Sequence, residues 1–385
     1  MHLIRYGFDG LDLAYNLSIP EDLAQQLEEQ RAVADAEDRY LGLIQRHGVS
    51  LIVHATGAKG GYAFRCDSGL GGPLGELWLF KRPTERKDPW GVRVSCRALP
   101  LALDGLAKVR QRIEATMAAL GMSVKSGDEA IARVDVACDI LAPDFVADRN
   151  CVVAHSQTTI KDITPDMMQV VGRSGRLESI TIGKNPGRQV VIYDKRAEVI
   201  AMQKPYWWPI WDAALAEQGL PPLDPKDRAN SAVWRVELRL YKRHLKDKWR
   251  VSTWGDLRDK LPEMLHYTLC DIRYTQPSND SNRARWPDHP IWGIAHDAFG
   301  RDMADLASMA DRAVIDDMLR SRSDEALRAQ ITSCLLSRAA LHRVADGRID
   351  AFALGTCQQL IRDWKRYPER HNEKLARARV RYGSL

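Results

Sequence analysis

Short runs of β-branched and aromatic residues fill the first two thirds of the chain. "LIVHA" (51–55), "GYAFRCD" (61–67), "ELWLFKR" (76–82) and "GVRVSCR" (91–97) are separated by glycine and proline clusters, as antiparallel hairpins require. Ahead of them, "SIPEDLAQQLEEQ" predicts a helix running to Gly48, with Ser18 as cap, Pro20 in the first turn and Glu21 returning the capping bond. Residues 104–121 carry apolar positions at helical spacing and stop at a glycine. A second block repeats the order. Residues 132–140, 167–173, 177–183, 189–195 and 233–240 read as strands, interrupted by a helix from 196 to 203 and by "PYWWPIWDAALAEQG". Strands then helix, twice over, hint at an internal duplication seen in pattern rather than in residue identity. After Lys246 the β-type runs stop: 253–274 reads as helix, 275–292 as a proline-punctuated polar loop, and the chain from Asp302 onward as helix. The predicted fold class is α+β, an antiparallel sheet body with pseudo-duplicated halves (1–245) followed by an all-helical C-terminal region with a basic tail (246–385).

Composition narrows the setting. A chain of 385 residues with 45% hydrophobic and 28% charged residues is globular and long enough for two domains. The net charge of +5 permits an anionic partner without requiring one. The first residues lack the basic-then-apolar layout of a signal peptide, and no run of roughly 18 apolar residues suggests a membrane span. The seven cysteines include no C-x-x-C pair, which fits reduced thiols in a cytoplasmic protein and argues against structural zinc.

Alternation places the candidate chemistry. Along "ARVDVACDI", Arg133, Asp135 and Asp139 share one face and Val134, Val136, Cys138 and Ile140 the other. Along "VWRVELRL", Arg235, Glu237 and Arg239 oppose Val236, Leu238 and Leu240. In "QVVIYDKRAEVI", Tyr193 and Lys195 share a face, with Glu198 just beyond. If these strands are neighbours, the carboxylates suit a hard divalent cation, and a tyrosine beside a cation can act as a nucleophile. The plainer reading is a half-exposed antiparallel sheet with a solvated, charged face.

The order "RVDVACD", "GRQVVIYDKRAE", "WRVELRL" resembles the replication initiation factor family, the trans-acting Rep nickases of rolling-circle plasmids and related single-tyrosine relaxases of integrative elements. The resemblance spans roughly residues 45–245. It implies a metal-dependent DNA nickase and strand transferase in which Tyr193 forms a 5′-phosphotyrosine bond and frees a 3′-hydroxyl. It further implies Mg²⁺ or Mn²⁺ held by Asp135 and Glu237 with Asp139 as a further acidic group, Lys195 and Glu198 supporting the tyrosine, and Arg133, Arg188, Arg235 and Arg239 contacting DNA. The implied partner is an origin or transfer-origin hairpin, single-stranded at the nick; a host helicase and a homodimer are compatible with it. The residues before the tyrosine strand depart from the family pattern, offering Lys184 and Arg188 beside Gly183 and Gly187.

Other features leave alternatives open. Tyr241 and Tyr274 lack the lysine and glutamate spacing that follows Tyr193. "PYWWPIW" suits either a packing plug or a base-stacking platform. The C-terminal stretch with Trp364, Tyr367 and Tyr382, and the loop carrying Arg283 and Arg285, suit either DNA contact or plain solvation. A non-catalytic DNA-binding regulator on the same scaffold and a sheet protein without nucleic acid are the competing functions.

Overall fold

The computed structural model describes residues 1–36, 42–85, 88–154, 167–173, 175–303 and 306–382. Its body is one antiparallel sheet with eleven strands among the described residues. In chain order the elements are β1 (His2–Tyr15), α1 (Glu21–Ala36), β2 (Gly42–Arg46), β3 (Val49–Val53), β4 (Phe64–Asp67), β5 (Glu76–Phe80), β6 (Val92–Cys96), α2 (Ala98–Ala119) and β7 (Glu129–Leu141). There follow β8 (Val152–Ala154), β9 (Met168–Arg173), β10 (Arg176–Gly183), β11 (Arg188–Asp194), α3 (Lys195–Ala201), α4 (Trp207–Glu217), α5 (Arg228–Ser231) and β12 (Val233–Tyr241). Last come α6 (Trp254–Asp271), β13 (Ile272–Tyr274), α7 (Pro290–Phe299), α8 (Arg312–Leu341), α9 (Ile349–Arg366) and α10 (Pro368–Tyr382).

Across the sheet the order is β2-β3-β4-β5-β6-β1-β7-β12-β11-β10-β9. The two longest strands, β1 and β7, pair antiparallel at the centre. Each is flanked by the last strand of its own half, and the earlier strands step outward from there. The expected duplication therefore has a topological counterpart, a twofold relation between β1 and β7.

One face of the sheet holds the main core. Val134, Val136, Val236 and Leu238 pack there with Leu23 and Leu27 of α1, Ile113 and Met117 of α2, Leu261 and Leu265 of α6, and Trp292 of α7. The central strands need a continuous apolar row on that side only, which leaves their other face free for polar groups.

Several expectations change. The first fifteen residues, where no element was expected, form the central strand. Gly7 has φ +135°, a conformation that suits glycine, and Asp9 is an extra residue at a bulge between Phe8 and Gly10. These irregularities interrupt the alternation that marks a strand. Helix α1 begins at Glu21, with the Pro20 carbonyl accepting from the Ala24 N–H at 3.0 Å, and 42–46 is strand rather than helix. Residues 272–274 pair with β8 instead of continuing α6.

The chain divides into two compact units, Met1–Ala310 and Asp311–Leu385. The division expected near 245 falls inside the first unit, because α6 and α7 bury their apolar faces against the sheet. The second unit, by itself, comprises α8, α9 and α10, with Trp364 and Tyr367 about half exposed. Among the described residues no helix is long and apolar enough to cross a membrane.

Arg188 belongs to this packing. It alternates onto the core face of β11, donates to Thr268 Oγ1 at 3.2 Å and pairs with Asp271, so it anchors α6 to the sheet instead of joining the polar face. Arg188→Ala leaves the buried Asp271 carboxylate unpaired, and urea unfolding of the variant is expected to show a loss of about 3 kcal/mol. An unchanged midpoint would return Arg188 to the solvent-facing role.

Candidate functional site

The polar rows of β11, β12, β7 and β1 lie side by side. Tyr193 pairs with Arg235, and Arg235 with Asp139, which in turn pairs with Arg5. Two residues along, Val191 pairs with Glu237 and Glu237 with Ala137. Next, Gln189 pairs with Arg239, and Arg239 with Asp135, which sits opposite Gly10. The period of two thus brings side chains far apart in sequence onto one surface.

That surface floors a cleft of about 450 Å³. Asp135, Tyr193, Lys195, Glu198, Glu237, Arg133 and Arg239 line it, joined by Asp9 and Asp12. Seven of the residues singled out from the sequence therefore meet in one place. Gly10 makes room for them, since a Cβ there would lie 2.8 Å from Asp135 Oδ2.

Arg235 and Asp139 lie beneath the cleft. Both are fully buried and bonded through two guanidinium nitrogens, one at 2.8 Å, while a third reaches Asp9 Oδ1 at 2.7 Å. Trp211 Nε1 also donates to Asp139 at 2.8 Å. The Asp139 oxygens are thus committed, which corrects its expected place among metal ligands. Burial likewise removes Arg235 from direct DNA contact. Burial alone would raise the Asp139 pKa, but Arg235 and Arg5 overcome it and hold the carboxyl below its usual range.

The segment "PYWWPIW" caps this pair. Trp207 and Trp211 are buried, and the Trp207 ring meets three cations: Arg5 at 4.9 Å, Arg235 at 4.8 Å and Lys195 at 4.9 Å from its centroid. The cluster is packed against the sheet in the way a plug would be.

Around Tyr193 the charges are ordered. Asp194 caps α3 by accepting from the Ala197 N–H at 2.9 Å, so the helix starts at once after the strand. That turn lays Lys195 beside the tyrosine, its Nζ 5.7 Å from the ring centroid and 2.7 Å from Glu198. Lys204 closes on the same glutamate. Burial pushes the Tyr193 phenol well above its ordinary pKa; Arg235 opposes that, and Glu237, Asp9 and Glu198 add to it. Burial and the neighbouring Arg235 lower Lys195. The competing tyrosines are engaged elsewhere. Tyr241 donates its hydroxyl to Gln189 at 2.7 Å, and buried Tyr274 accepts from the Asp148 N–H at 2.8 Å.

Three carboxylates of the cleft have arginine partners: Asp135 with Arg133 at 2.6 Å, Glu237 with Arg239 at 2.7 Å, and Asp9 with Arg235. Oxygen donors of this kind are the class that an Mg²⁺- or Mn²⁺-type ion takes, but the three do not converge within 4.8 Å of one another, so such an ion would have to draw them away from their arginines. Burial raises the Asp135 pKa to about 7 despite Arg133, with Glu237 and Asp9 adding to the effect. Asp9 escaped the sequence reading because its strand did; its signal is the "FDG" interruption that makes the bulge.

Among known proteins, a rolling circle replication initiator protein from Geobacillus stearothermophilus is similar to this chain with a TM-score of 0.42 and 14% identity, over 79% of this chain and 99% of that one. No family model matches the chain, and no curated protein does. Likeness at that level adds nothing to what the cleft itself shows.

Loop residues 275–289 are tied down in part. Arg283 donates to the carbonyls of Asn150 and Val152, while Arg285 stays exposed beside Asp280.

The cleft has a pH signature. Between about pH 4, where an unfolded aspartate titrates, and about 7, the folded chain keeps a proton on Asp135 that the unfolded chain has lost. Stability therefore falls as pH rises through that window. Asp9 and Asp139, held low mainly by Arg235 against burial, act the other way: their contribution is present above about pH 4 and is lost on further acidification. Asp135→Asn is expected to flatten the decline between pH 4 and 7 by the order of a few kcal/mol in urea titrations. An unaltered slope would mean that Asp135 is ionised throughout.

Proposed function

We propose that the chain is a metal-dependent DNA nickase and strand transferase that uses Tyr193 to start replication or transfer of a mobile element. The observation that carries this reading is the shared cleft: Tyr193, Asp135 and Glu237, on three adjacent strands, line one cavity of a size to take a phosphodiester and its neighbouring sugars. The family resemblance of their motifs points the same way.

In this reading the Tyr193 oxygen attacks the scissile phosphorus as its phenolic proton is lost. The bond from phosphorus to the 3′-oxygen breaks, the departing oxygen takes up a proton as a 3′-hydroxyl, and the 5′-phosphate stays on the tyrosine. The high phenol pKa makes this attack slow unless positive charge acts on the oxygen, and Arg235 supplies the largest such influence. Lys195, fixed by Glu198, stands beside the ring to meet charge on the phosphate. Asp135, Glu237 and Asp9 would hold the divalent ion, whose positive charge polarises a phosphoryl oxygen. Arg133 and Arg239, freed from their carboxylates in part, would contact the DNA backbone. Ligation reverses the same steps when a 3′-hydroxyl attacks the phosphotyrosine. The basic C-terminal helix and a host helicase fit as further contacts of the same process.

A second reading rests on one observation. Asp135, Glu237 and Asp9 each already have an arginine partner, as in an ion-paired sheet surface without catalysis. That arrangement suits a DNA-binding regulator.

The test is relaxation of a supercoiled plasmid that carries the origin of the chain's own genetic element, with Mg²⁺ or Mn²⁺. Wild type is expected to leave a covalent adduct on the 5′ end, and Tyr193→Phe none. Origin binding without any adduct in wild type supports the regulator instead, and normal nicking by Tyr193→Phe removes that residue as nucleophile. Mn²⁺ binding is expected to strengthen as pH rises through about 7, where Asp135 loses its proton. Affinity that is flat across that range would take Asp135 out of the ligand set.

A further inference from the structure

Away from the cleft, α6 and α7 bring together three soft or borderline donors. His266 and Cys270 are four residues apart on α6 and so share a face. His296 of α7 packs opposite them. The donor atoms of all three lie within 4.8 Å of one another, and among the described residues no other group of three potential ligands converges so closely. Cys270 Sγ is 3.6 Å from His266 Nε2 and 3.9 Å from His296 Nε2. Around a tetrahedral zinc, with bonds of about 2.3 Å to sulfur and 2.0–2.1 Å to nitrogen, a sulfur–nitrogen edge is about 3.5 Å. Both sulfur–nitrogen edges thus already stand within a few tenths of an ångström of that value. The imidazole rings meet edge to face at 5.3 Å between centroids, at 82°, so neither ring stacks over the nitrogens.

Packing does not account for the cluster. His266 and Cys270 are exposed and His296 is half-buried. The surroundings favour a cation: Asp288 and Asp297 act on His296, and Asp271 and Asp288 on Cys270, against Arg273.

We infer that His266, Cys270 and His296 form a site for a borderline divalent cation of the zinc class, with a fourth position open to water or an outside ligand. The Cys270 thiol gives up its proton to solvent as the sulfur–metal bond forms. The bound ion cross-links α6 to α7 and so holds the two ends of the polar loop 275–289. Absence of a C-x-x-C pair excludes a four-cysteine site but not this mixed one. The site is independent of the nickase reading, since none of its ligands lines the cleft.

The test uses the full chain, stripped with a chelator and titrated with Co²⁺ alone. Wild type is expected to show intense tetrahedral visible bands and a thiolate-to-cobalt charge-transfer band that saturate at one equivalent for this site, both displaced by Zn²⁺. Cys270→Ser loses the charge-transfer band, His296→Asn loses the tetrahedral spectrum, and Asp135→Asn keeps both. Zn²⁺ at a hundredfold excess over its Kd raises the thermal midpoint of wild type by ~5 °C and leaves Cys270→Ser unmoved. Absence of a charge-transfer band in wild type overturns the site. Its survival in Cys270→Ser assigns the ion to other thiols and overturns it equally, as does its loss in Asp135→Asn. Far-UV circular dichroism confirms that each variant is folded before it is scored.

Discussion

Arg235 is shut away from water, and a guanidinium in that position is costly unless every side of it is met. Here Asp139 takes two of its nitrogens, Asp9 takes the third, and the Trp207 ring covers its plane. Those partners come from β7, β1 and α4, while Arg235 itself is on β12. One residue therefore ties the three central strands to the helix that covers them. Its burial drives its own pKa down, but Asp139 and Asp9 more than reverse this, so the charge stays in place. The cleft sits directly on that pair: Tyr193 is the cross-strand neighbour of Arg235 on the other side. Packing and candidate chemistry consequently share a single ion pair.

The architecture was legible wherever alternation was clean. On β7 and β12 every second residue is apolar, and both faces were assigned correctly from the letters alone, including the face that carries Asp135 and Glu237. Whether those faces converge was not legible, because strand order across a sheet depends on pairing between residues scores of positions apart. β1 was lost for a different reason. Its bulge and the left-handed Gly7 break the period of two, and with the strand went Asp9 and Arg5, which complete the buried network. Asp139, Arg235 and Arg188 were recognised as polar residues in strands. Their depth was invisible, since it is set by Trp211, Trp207 and Asp271, which arrive from elsewhere in the chain. The cluster on α6 and α7 escaped for the same cause: two of its members are a helical turn apart, and the third comes after an intervening strand and loop.

The mirrored strand order invites a comparison between the halves. In the second half Tyr193 stands across from Arg235, and in the first half Leu79 stands across from Arg93. Lys195 follows Tyr193 by two residues and Lys81 follows Leu79 by two, each buried. The frame thus holds two corresponding seats, but one is occupied by a side chain without a hydroxyl. A single chain is chemically lopsided on a balanced scaffold. If Tyr193 acts as proposed, a process that needs two strand transfers in flight at the same moment would draw on a second hydroxyl or a second copy of the chain, whereas one Tyr193 serves only events that follow one another, each waiting for that phenol to be released.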